Sequence, residues 1–439
     1  MTGVPFVRVV VVNFNGGDLT LECLHSVLAT EWPEHRIEVV LVDNASDDDV
    51  VARVKAELPS VRLIQTAENV GFGRANNLAF RDLGGVDHVA LINPDARVEP
   101  GWLAPLVEAL ERDPVVGAAS PTVLLAGRYR RIDLTVTPPG DARHGGVRLI
   151  RARRGGTDLT TRLRHLDGFW GPNLEDGRWT RASTASVLVP TTDHDGDDSD
   201  DTLMFELAAC GEATVTVSDG AQSAAHHVAA TAMEFAVPDR GPARRYLNTA
   251  GVTVGSDGVP RDRHYLEPDA ATLRTPATVD AWSGNAVLLR HAYLDDVGNF
   301  DPALFMYYED TELSHRGTER GWTYQYVPES VVEHLNSATS VAGSTFSEFH
   351  NERSRLLVIA RHESFSSWAS AMVRSALVAL SYARHDARHA AGNACAPERG
   401  HARTRWAAWF SALRSTPTAL RSRRRDRKRN PSGAAHARR

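Results

Sequence analysis

The sequence predicts an α/β protein built on a doubly wound parallel sheet, and three observations lead there. Short, Val-rich apolar runs recur through residues 6–92 with helical patterns between them. Polar tripeptides follow three of those runs directly. Beyond residue 126 the pattern changes to short alternating stretches before the first style resumes.

The run at 6–12 is almost continuous valine, as expected of a strand buried on both faces. Asp18 is the expected N-cap of the next helix, with Leu19, Cys23, Leu24, Val27 and Leu28 at helical spacing until Pro33 interrupts. A second strand spans 37–42, followed by the turn Asp43-Asn44-Ala45-Ser46 and a helix through Val50, Val54 and Leu58. A third short strand falls at 61–64. Residues 71–83 read as a loop entering a helix, and a fourth strand at 89–92 ends at Asn93-Pro94-Asp95. This βαβαβαβ order implies right-handed crossovers, and such sheets bind ligands at the carboxyl ends of their strands. Residues 13–15, 43–46 and 93–95 should therefore converge on one crevice, although each alone is also ordinary turn chemistry.

The 439 residues exceed one ordinary core, which stops growing near about 250. The expected division is 1–126 and 246–345 as two parts of one catalytic unit, 127–245 as an inserted all-β, sandwich-like module, and 346–439 as helices with a basic tail. An insert accounts for the middle better than a structureless loop of that length. Apolar residues at 42% and charged residues at 24% exclude a largely disordered chain and a multi-span membrane protein. The net charge of -6 conceals an Arg-rich end from residue 384 onward, where a flexible tail is expected beyond 383. Cys23, Cys210 and Cys395 are scattered and read neither as a disulfide framework nor as a zinc site. With no leader pattern and no run of roughly 18 apolar residues, the expected setting is the cytoplasm, peripheral on the inner face of the membrane.

The runs VVVNFNGG from Val10, VDNASDDD from Val42, ENVGFGRANN from Glu68, LINPD from Leu91, WSGNAVLLR from Trp282, FMYYEDTELSHRGTERGW from Phe305 and VPESVVEHLNSATS from Val327 together resemble the family 2 glycosyltransferases of the GT-A fold, particularly bacterial rhamnosyltransferase-like members. The resemblance covers roughly 1–126 and 246–345. It implies transfer of a sugar, with inversion, from a nucleotide-diphosphate sugar donor to a hydroxyl of a glycan or lipid-linked glycan acceptor.

In that reaction the diphosphate departs with growing negative charge, which a hard divalent cation, Mn2+ or Mg2+, neutralises. The resemblance makes Asp95 and His334 its protein ligands. Taken alone, Asp95 also fits an Asx turn or helix cap, and His334, closing a strand through Tyr326 and Val327, a structural histidine. The family motif is commonly Asp-x-Asp; Asn93 at its first position leaves the cation short of one charged ligand. The acceptor hydroxyl must lose its proton to a carboxylate opposite the leaving group. Glu309-Asp310 follows the aromatic run 305–308 and opens a helix over 311–320. Asp310 is the candidate base, with Glu309 in its place if Asp310 only caps the helix, an effect worth about 0.3–1 kcal/mol.

For the donor, Asp43 is implied by the resemblance to contact base or ribose, and Asn13 and Asn15 to frame that pocket. Between Asn69 and Asn77, Gly71 and Gly73 would let the backbone approach the donor, and Arg74 and Asn76 offer hydrogen bonds to ribose or phosphate. Trp282, Ser283 and Gly284 are expected on the acceptor side, where the indole would stack on a sugar ring; a core tryptophan fits as well.

Phe169-Trp170-Gly171-Pro172 and Arg178-Trp179 in the insert are similar to small β modules that bind carbohydrate. The acidic run at 193–198 lacks the twelfth-position glutamate of a calcium loop and reads as a solvated hairpin. In the tail, Trp406, Trp409, Phe410 and Leu413 can share a helix face ahead of the arginines, which suits an anionic membrane surface; no nucleic acid is expected. Two other functions stay open: a noncatalytic carbohydrate-binding protein using the β-insert, and nucleotidyl transfer on a related sheet.

Overall fold

The computed structural model describes residues 3–138, 146–170, 177–191, 202–255, 259–335, 344–390 and 401–429. The first 125 residues supply β1 (Val7–Asn13), α1 (Gly17–Leu28), β2 (Ile37–Asp43), α2 (Val50–Glu57), β3 (Arg62–Gln65), α3 (Phe72–Ala79), β4 (His88–Ile92), β5 (Ala96–Val98), α4 (Leu103–Arg112) and β6 (Val116–Leu125). After the inserted strands the chain adds β7 (Leu247–Thr249), β8 (Ala277–Val279), β9 (Ala286–Arg290), α5 (His291–Val297), α6 (Glu309–Thr318) and β10 (Thr323–His334). It ends in α7 (Thr345–His362), α8 (Phe365–Ala390) and α9 (Ala402–Arg429).

One ten-stranded sheet runs β8-β10-β6-β9-β4-β1-β2-β3, with β7 beside β6 and β5 beside β10. All seven residues of β1 are buried, as its unbroken apolar run requires of a central strand. Strands β1 to β4 are mutually parallel where they pair, joined by helices in the expected order. The rest departs from the all-parallel expectation. β9 lies antiparallel between β4 and β6, while β10 is parallel to β6. β9 arrives after a long excursion rather than a helical crossover, so no βαβ connection forces its direction. Helices cover both faces: Leu24, Val54 and Leu106 pack beneath one, and Ala75, Tyr293 and Leu313 beneath the other.

Asp18 is not the cap of α1. The helix begins at Gly16 without a cap from its own side chain. The free amides of Gly16 and Gly17 instead donate to Asn13 Oδ1 and Asp48 Oδ2, each at 3.0 Å, so the crevice's own polar groups close the helix end.

Strands from Tyr129–Thr137 to Ala243–Arg244 form two further antiparallel sheets. Ile132, Leu134, Val187 and Val215 from one face Leu149, Phe205 and Leu207 from the other, which makes a sandwich with its own core. Phe169 and Trp179 are buried, and Arg148 stacks over the Trp179 ring. The acidic run and Gly171-Pro172 lie outside the described residues.

Two expectations fail toward the end of the chain. Residues 402–429, expected as flexible tail, are helical, because Ala and Arg are strong helix formers and Trp409 and Ala412 bury against Leu356, Ile359 and Met372. Trp409 therefore faces the bundle, its Nε1 donating to Met372 O at 2.9 Å, while Phe410 and Leu413 face out. Cys210 is disulfide-bonded; sequence spacing does not reveal approach in space. Cys23 is a buried free thiol.

The loop entering α3 is held against the segment before α6, with Phe72 N donating to Phe305 O at 3.0 Å. Gly71 adopts φ +85°, and a Cβ there would lie 2.2 Å from Phe305 O. Gly85 has a similar φ of +79° with open space around it. Gly85→Ala should therefore cost about 1 kcal/mol of backbone strain and Gly71→Ala roughly 2–3 kcal/mol, measured by denaturant unfolding. Equal costs would mean that the loop yields freely to the added methyl.

Candidate functional site

A cleft of about 650 Å³ opens at the carboxyl ends of β1, β2 and β4. In-register pairing sets Asn13 beside Asp43, and Val11 beside Ile92, so the polar residues after each strand meet there. Asn13, wholly buried, is the hub of the floor. Its Nδ2 donates to Asp43 Oδ1 (3.1 Å) and Ser46 Oγ (3.0 Å), and its Oδ1 accepts from Thr20 Oγ1 (2.7 Å). Asn15, at φ +54°, accepts from Asp47 N at 2.8 Å. Asn44 donates to Asn69 Oδ1 at 2.8 Å, and the same oxygen takes the Gly71 amide at 3.0 Å.

These bonds divide the expected donor residues. Asn69, Asn93 and Asp95 line the cleft; Asn13 and Asp43 lie beneath it as buried supports. Gly73 packs against Phe300, and buried Asn76 donates to Phe72 O within its own helix at 3.0 Å. Arg74 is exposed and does not line the cleft. On the acceptor side, Ser283 and Gly284 line the cleft, but Trp282 is a core residue with no exposed surface, edge-on to Phe300 at 6.0 Å. Its place in an apolar cluster decided between the two readings left open for it.

Asp95 and His334 meet through antiparallel pairing of β5 with β10, which sets His334 opposite Ala96. His334 Nε2 stands 2.9 Å from Asp95 Oδ1 and 3.2 Å from Asn93 Nδ2, and its Nδ1 lies 2.9 Å from Asn248 Oδ1. Asn248 Oδ1 accepts from Nδ1, which turns Nε2 toward Asp95. A ring nitrogen and a carboxylate oxygen that close share either a proton or a cation. The donor set, one carboxylate oxygen and one imidazole nitrogen with its far side anchored, suits a divalent cation.

Glu309 and Asp310 open α6 in the same cleft. Tyr307 and Tyr308 precede them at φ +64° and +69°, a left-handed pair rare outside glycine that turns the chain into the helix. Asp310 Oδ2 accepts from Gly284 N at 3.0 Å, and Oδ1 from Thr311 N at 2.6 Å. Burial nevertheless raises its carboxyl above the usual aspartate range, more than those bonds lower it. Burial, with the neighbouring Asp310 charge, pushes Glu309 up to about 8, and its Oε2 has no hydrogen-bond partner among the described residues. Two adjacent carboxyls thus sit in settings that separate their protonation.

Asn248, Asn285 and Asp262 also line the cleft and were not singled out from the sequence. Asn285 directly follows Trp282-Ser283-Gly284 and gave a readable signal, whereas Asn248 and Asp262 reach the cleft only through pairings after the insert. Asp262 is exposed where it lines the cleft, and crowding by the surrounding protein, with the charge of Asp310, raises its carboxyl above the usual aspartate range.

Residues 8–149 match the sequence model of Glycosyl transferase family 2. The N-acetylglucosaminyl-diphospho-decaprenol L-rhamnosyltransferases of two Mycobacterium tuberculosis strains are each 24% identical over 378 residues, covering 83% of this chain and 87% of theirs. Among solved structures, GalNAc-T7 with UDP, GalNAc and Mn2+ aligns at TM-score 0.46 and 14% identity over 82% of this chain, which spans about half (48%) of that protein. The mannosyltransferase PcManGT of Pyrobaculum calidifontis with GDP-Man and Mn2+ aligns at TM-score 0.42 and 15% identity, over 94% of this chain and 88% of its own. Residues 8–149, which carry the floor of the cleft, thus form a Glycosyl transferase family 2 domain.

Proposed function

We propose that the protein is an inverting glycosyltransferase that moves a sugar, of the deoxyhexose class, from a nucleoside-diphosphate donor to a hydroxyl of a lipid-linked glycan in the synthesis of a cell-surface polysaccharide. The observation that carries the reading is the cleft itself, where the Asp95–His334 pair and the Asp310 carboxylate face one cavity. The relatives named as rhamnosyltransferases acting on a diphospho-decaprenol-linked sugar support the donor and acceptor classes.

Asp95 Oδ1 and His334 Nε2 would hold Mn2+ or Mg2+, with Asn93 beside them and Asn248 fixing the imidazole. Such a cation supplies Lewis-acid neutralisation of the departing diphosphate. Asp310 takes the acceptor proton as the hydroxyl attacks the anomeric carbon; the Gly284 and Thr311 amides hold its carboxylate in one orientation. Glu309, buried and protonated near neutral pH, adds no second negative charge beside the base. The sandwich gives the noncatalytic reading little support, because Phe169 and Trp179 are buried within it. Nucleotidyl transfer would release pyrophosphate instead of a nucleoside diphosphate.

A lipid-linked acceptor requires contact with a membrane surface, and we assign that contact to the last two helices, on the cytoplasmic face. Among the described residues no helix is long and apolar enough to cross a membrane. Val373, Leu377 and Leu380 on α8, and Phe410 and Leu413 on α9, are exposed, with Arg374 and Arg414 beside them. An apolar face flanked by arginines suits an anionic lipid surface.

Four outcomes are expected. With a panel of UDP-, dTDP- and GDP-sugars, divalent-metal-dependent release of nucleoside diphosphate should fall by roughly 10²–10⁴ in kcat/KM in Asp310→Asn while donor binding persists. The acid limb of the activity profile should lie above the ordinary aspartate value of about 3.9, since the base acts only once deprotonated. Loss of donor binding along with turnover would remove Asp310 from the base role. A raised carboxyl pKa favours the folded state below the unfolded value and ceases to do so as pH climbs through the folded value. Glu309→Gln should therefore melt higher than the parent above pH ~8, by about 2–4 °C, and no higher near pH 4.5. Finally, the chain should co-sediment with phosphatidylserine vesicles in a salt-sensitive way and several-fold less in Phe410→Ser/Leu413→Ser; equal binding by that variant would place the contact elsewhere.

A further inference from the structure

The far end of α6 carries a group of side chains that transfer chemistry does not use. His315 and Glu319 lie one helical turn apart, with His315 Nδ1 3.6 Å from Glu319 Oε1. His362, the last residue of α7, places its Nδ1 3.8 Å from the same oxygen. The two imidazole rings are 4.1 Å apart, and one ligand atom from each of the three residues lies within 4.8 Å of the others.

The arrangement behind them is what a metal site needs. His362 Nε2 is 3.1 Å from Glu312 Oε1. Glu312 has no exposed surface and is held in place by ion pairs to Arg316 and Arg361, at 3.0 and 2.9 Å. A buried carboxylate on Nε2 orients the ring so that Nδ1 faces Glu319 and His315, the carboxylate–histidine support common behind metal ligands. His315 Nδ1 is itself buried and has no hydrogen-bond partner among the described residues. Two imidazole nitrogens and one carboxylate oxygen, two of their spacings 3.6 and 3.8 Å and all within 4.8 Å, form the donor set of a three-ligand zinc site with a fourth position for water, and would draw in toward the ~3.3 Å edges of a tetrahedron with ~2.0–2.1 Å legs on binding.

We infer that His315, Glu319 and His362 form a second metal site, separate from the cleft, which takes a zinc-class cation and fastens the helix bearing Glu309 and Asp310 to α7. His315 follows Asp310 by five residues, roughly 7.5 Å along the helix, so occupancy would steady the base from behind without touching substrate.

The test is cobalt and zinc titration of the tag-free, chelator-stripped full chain, following the visible bands of tetrahedral Co2+. The expected result is one equivalent of high-absorbance Co2+ that zinc displaces and that persists in Asp95→Asn. In His315→Ala, and separately in the exposed helix-end variant Glu319→Gln, affinity should fall by more than the roughly 10–100-fold that follows loss of a supporting partner, with circular dichroism unchanged. Zinc should also raise the melting temperature of the parent and not of Glu319→Gln. Undiminished Co2+ binding in either variant, or no tetrahedral Co2+ bands in the parent, would overturn the site. Because none of these readouts uses turnover, a failed sugar transfer would leave this result standing, and the reverse.

Discussion

The carboxyl ends of β1, β2 and β4 leave buried polar groups beneath and along the cleft, and the architecture of the site follows from satisfying them. A buried polar group without a partner costs about 1–3 kcal/mol. Asn13 meets that constraint with both ends of its amide: it donates to Asp43 and Ser46 and accepts from Gly16 and Thr20. One side chain thereby joins β1, the β2 turn and the start of α1. The residues beyond it, Asn44 and Asn69, repeat the pattern and carry the loop to Gly71 and the segment before α6. The first half of the chain is in this way locked to the helix that bears the candidate base.

The same constraint explains which parts of the site could be read from sequence. A strand buried on both faces announces itself by an unbroken apolar run, and the residue after it must stand at the sheet's carboxyl edge, so the sequence alone predicts that 13–15, 43–46 and 93–95 converge. Their roles were not legible. Asn13 and Asp43 look the same in sequence as Asn93 and Asp95, and only their place relative to the cleft separates supports from lining groups. Trp282 is another such case, since aromatic character suits a sugar face and a core equally. β9 and Asn248 depend on how the chain returns after the 127–245 stretch, and strand direction after a long excursion leaves no local trace. The helical end is hidden from a reading by apolar content, because the helix propensity of Ala and Arg and a few buried contacts suffice to form it.

Helix α6 concentrates opposing electrostatic demands in ten residues. At its N-terminus the backbone amides favour negative charge, and Asp310 takes bonds from Gly284 and Thr311, yet burial prevails and its carboxyl stays above the ordinary range. In the middle, Glu312 has the same burial but three cationic or potentially cationic neighbours in contact, and it is driven the other way. Two residues apart on one helix, one acid is tuned toward accepting a proton and the other is kept charged as a fixed anchor. The difference lies in the partners: backbone amides for Asp310, the guanidinium groups of Arg316 and Arg361 for Glu312.

That anchor gives the base its fixed position. Arg316 does not only pair with Glu312; it also donates to the carbonyls of Val297 and Asn299, tying α6 to the segment that leads to Phe300. Phe300 in turn packs on Trp282 and exchanges two hydrogen bonds with Asn77 of α3. A buried carboxylate stripped of one partner costs far more than the pair contributes over apolar packing, so the network holds all its members in one arrangement or none. The consequence at the cleft is positional. Asp310 stands on a helix clamped from below by Glu312 and from the side by Phe300, and a carboxylate that must meet a hydroxyl within hydrogen-bond reach gains more from that fixity than from any further shift in its proton affinity.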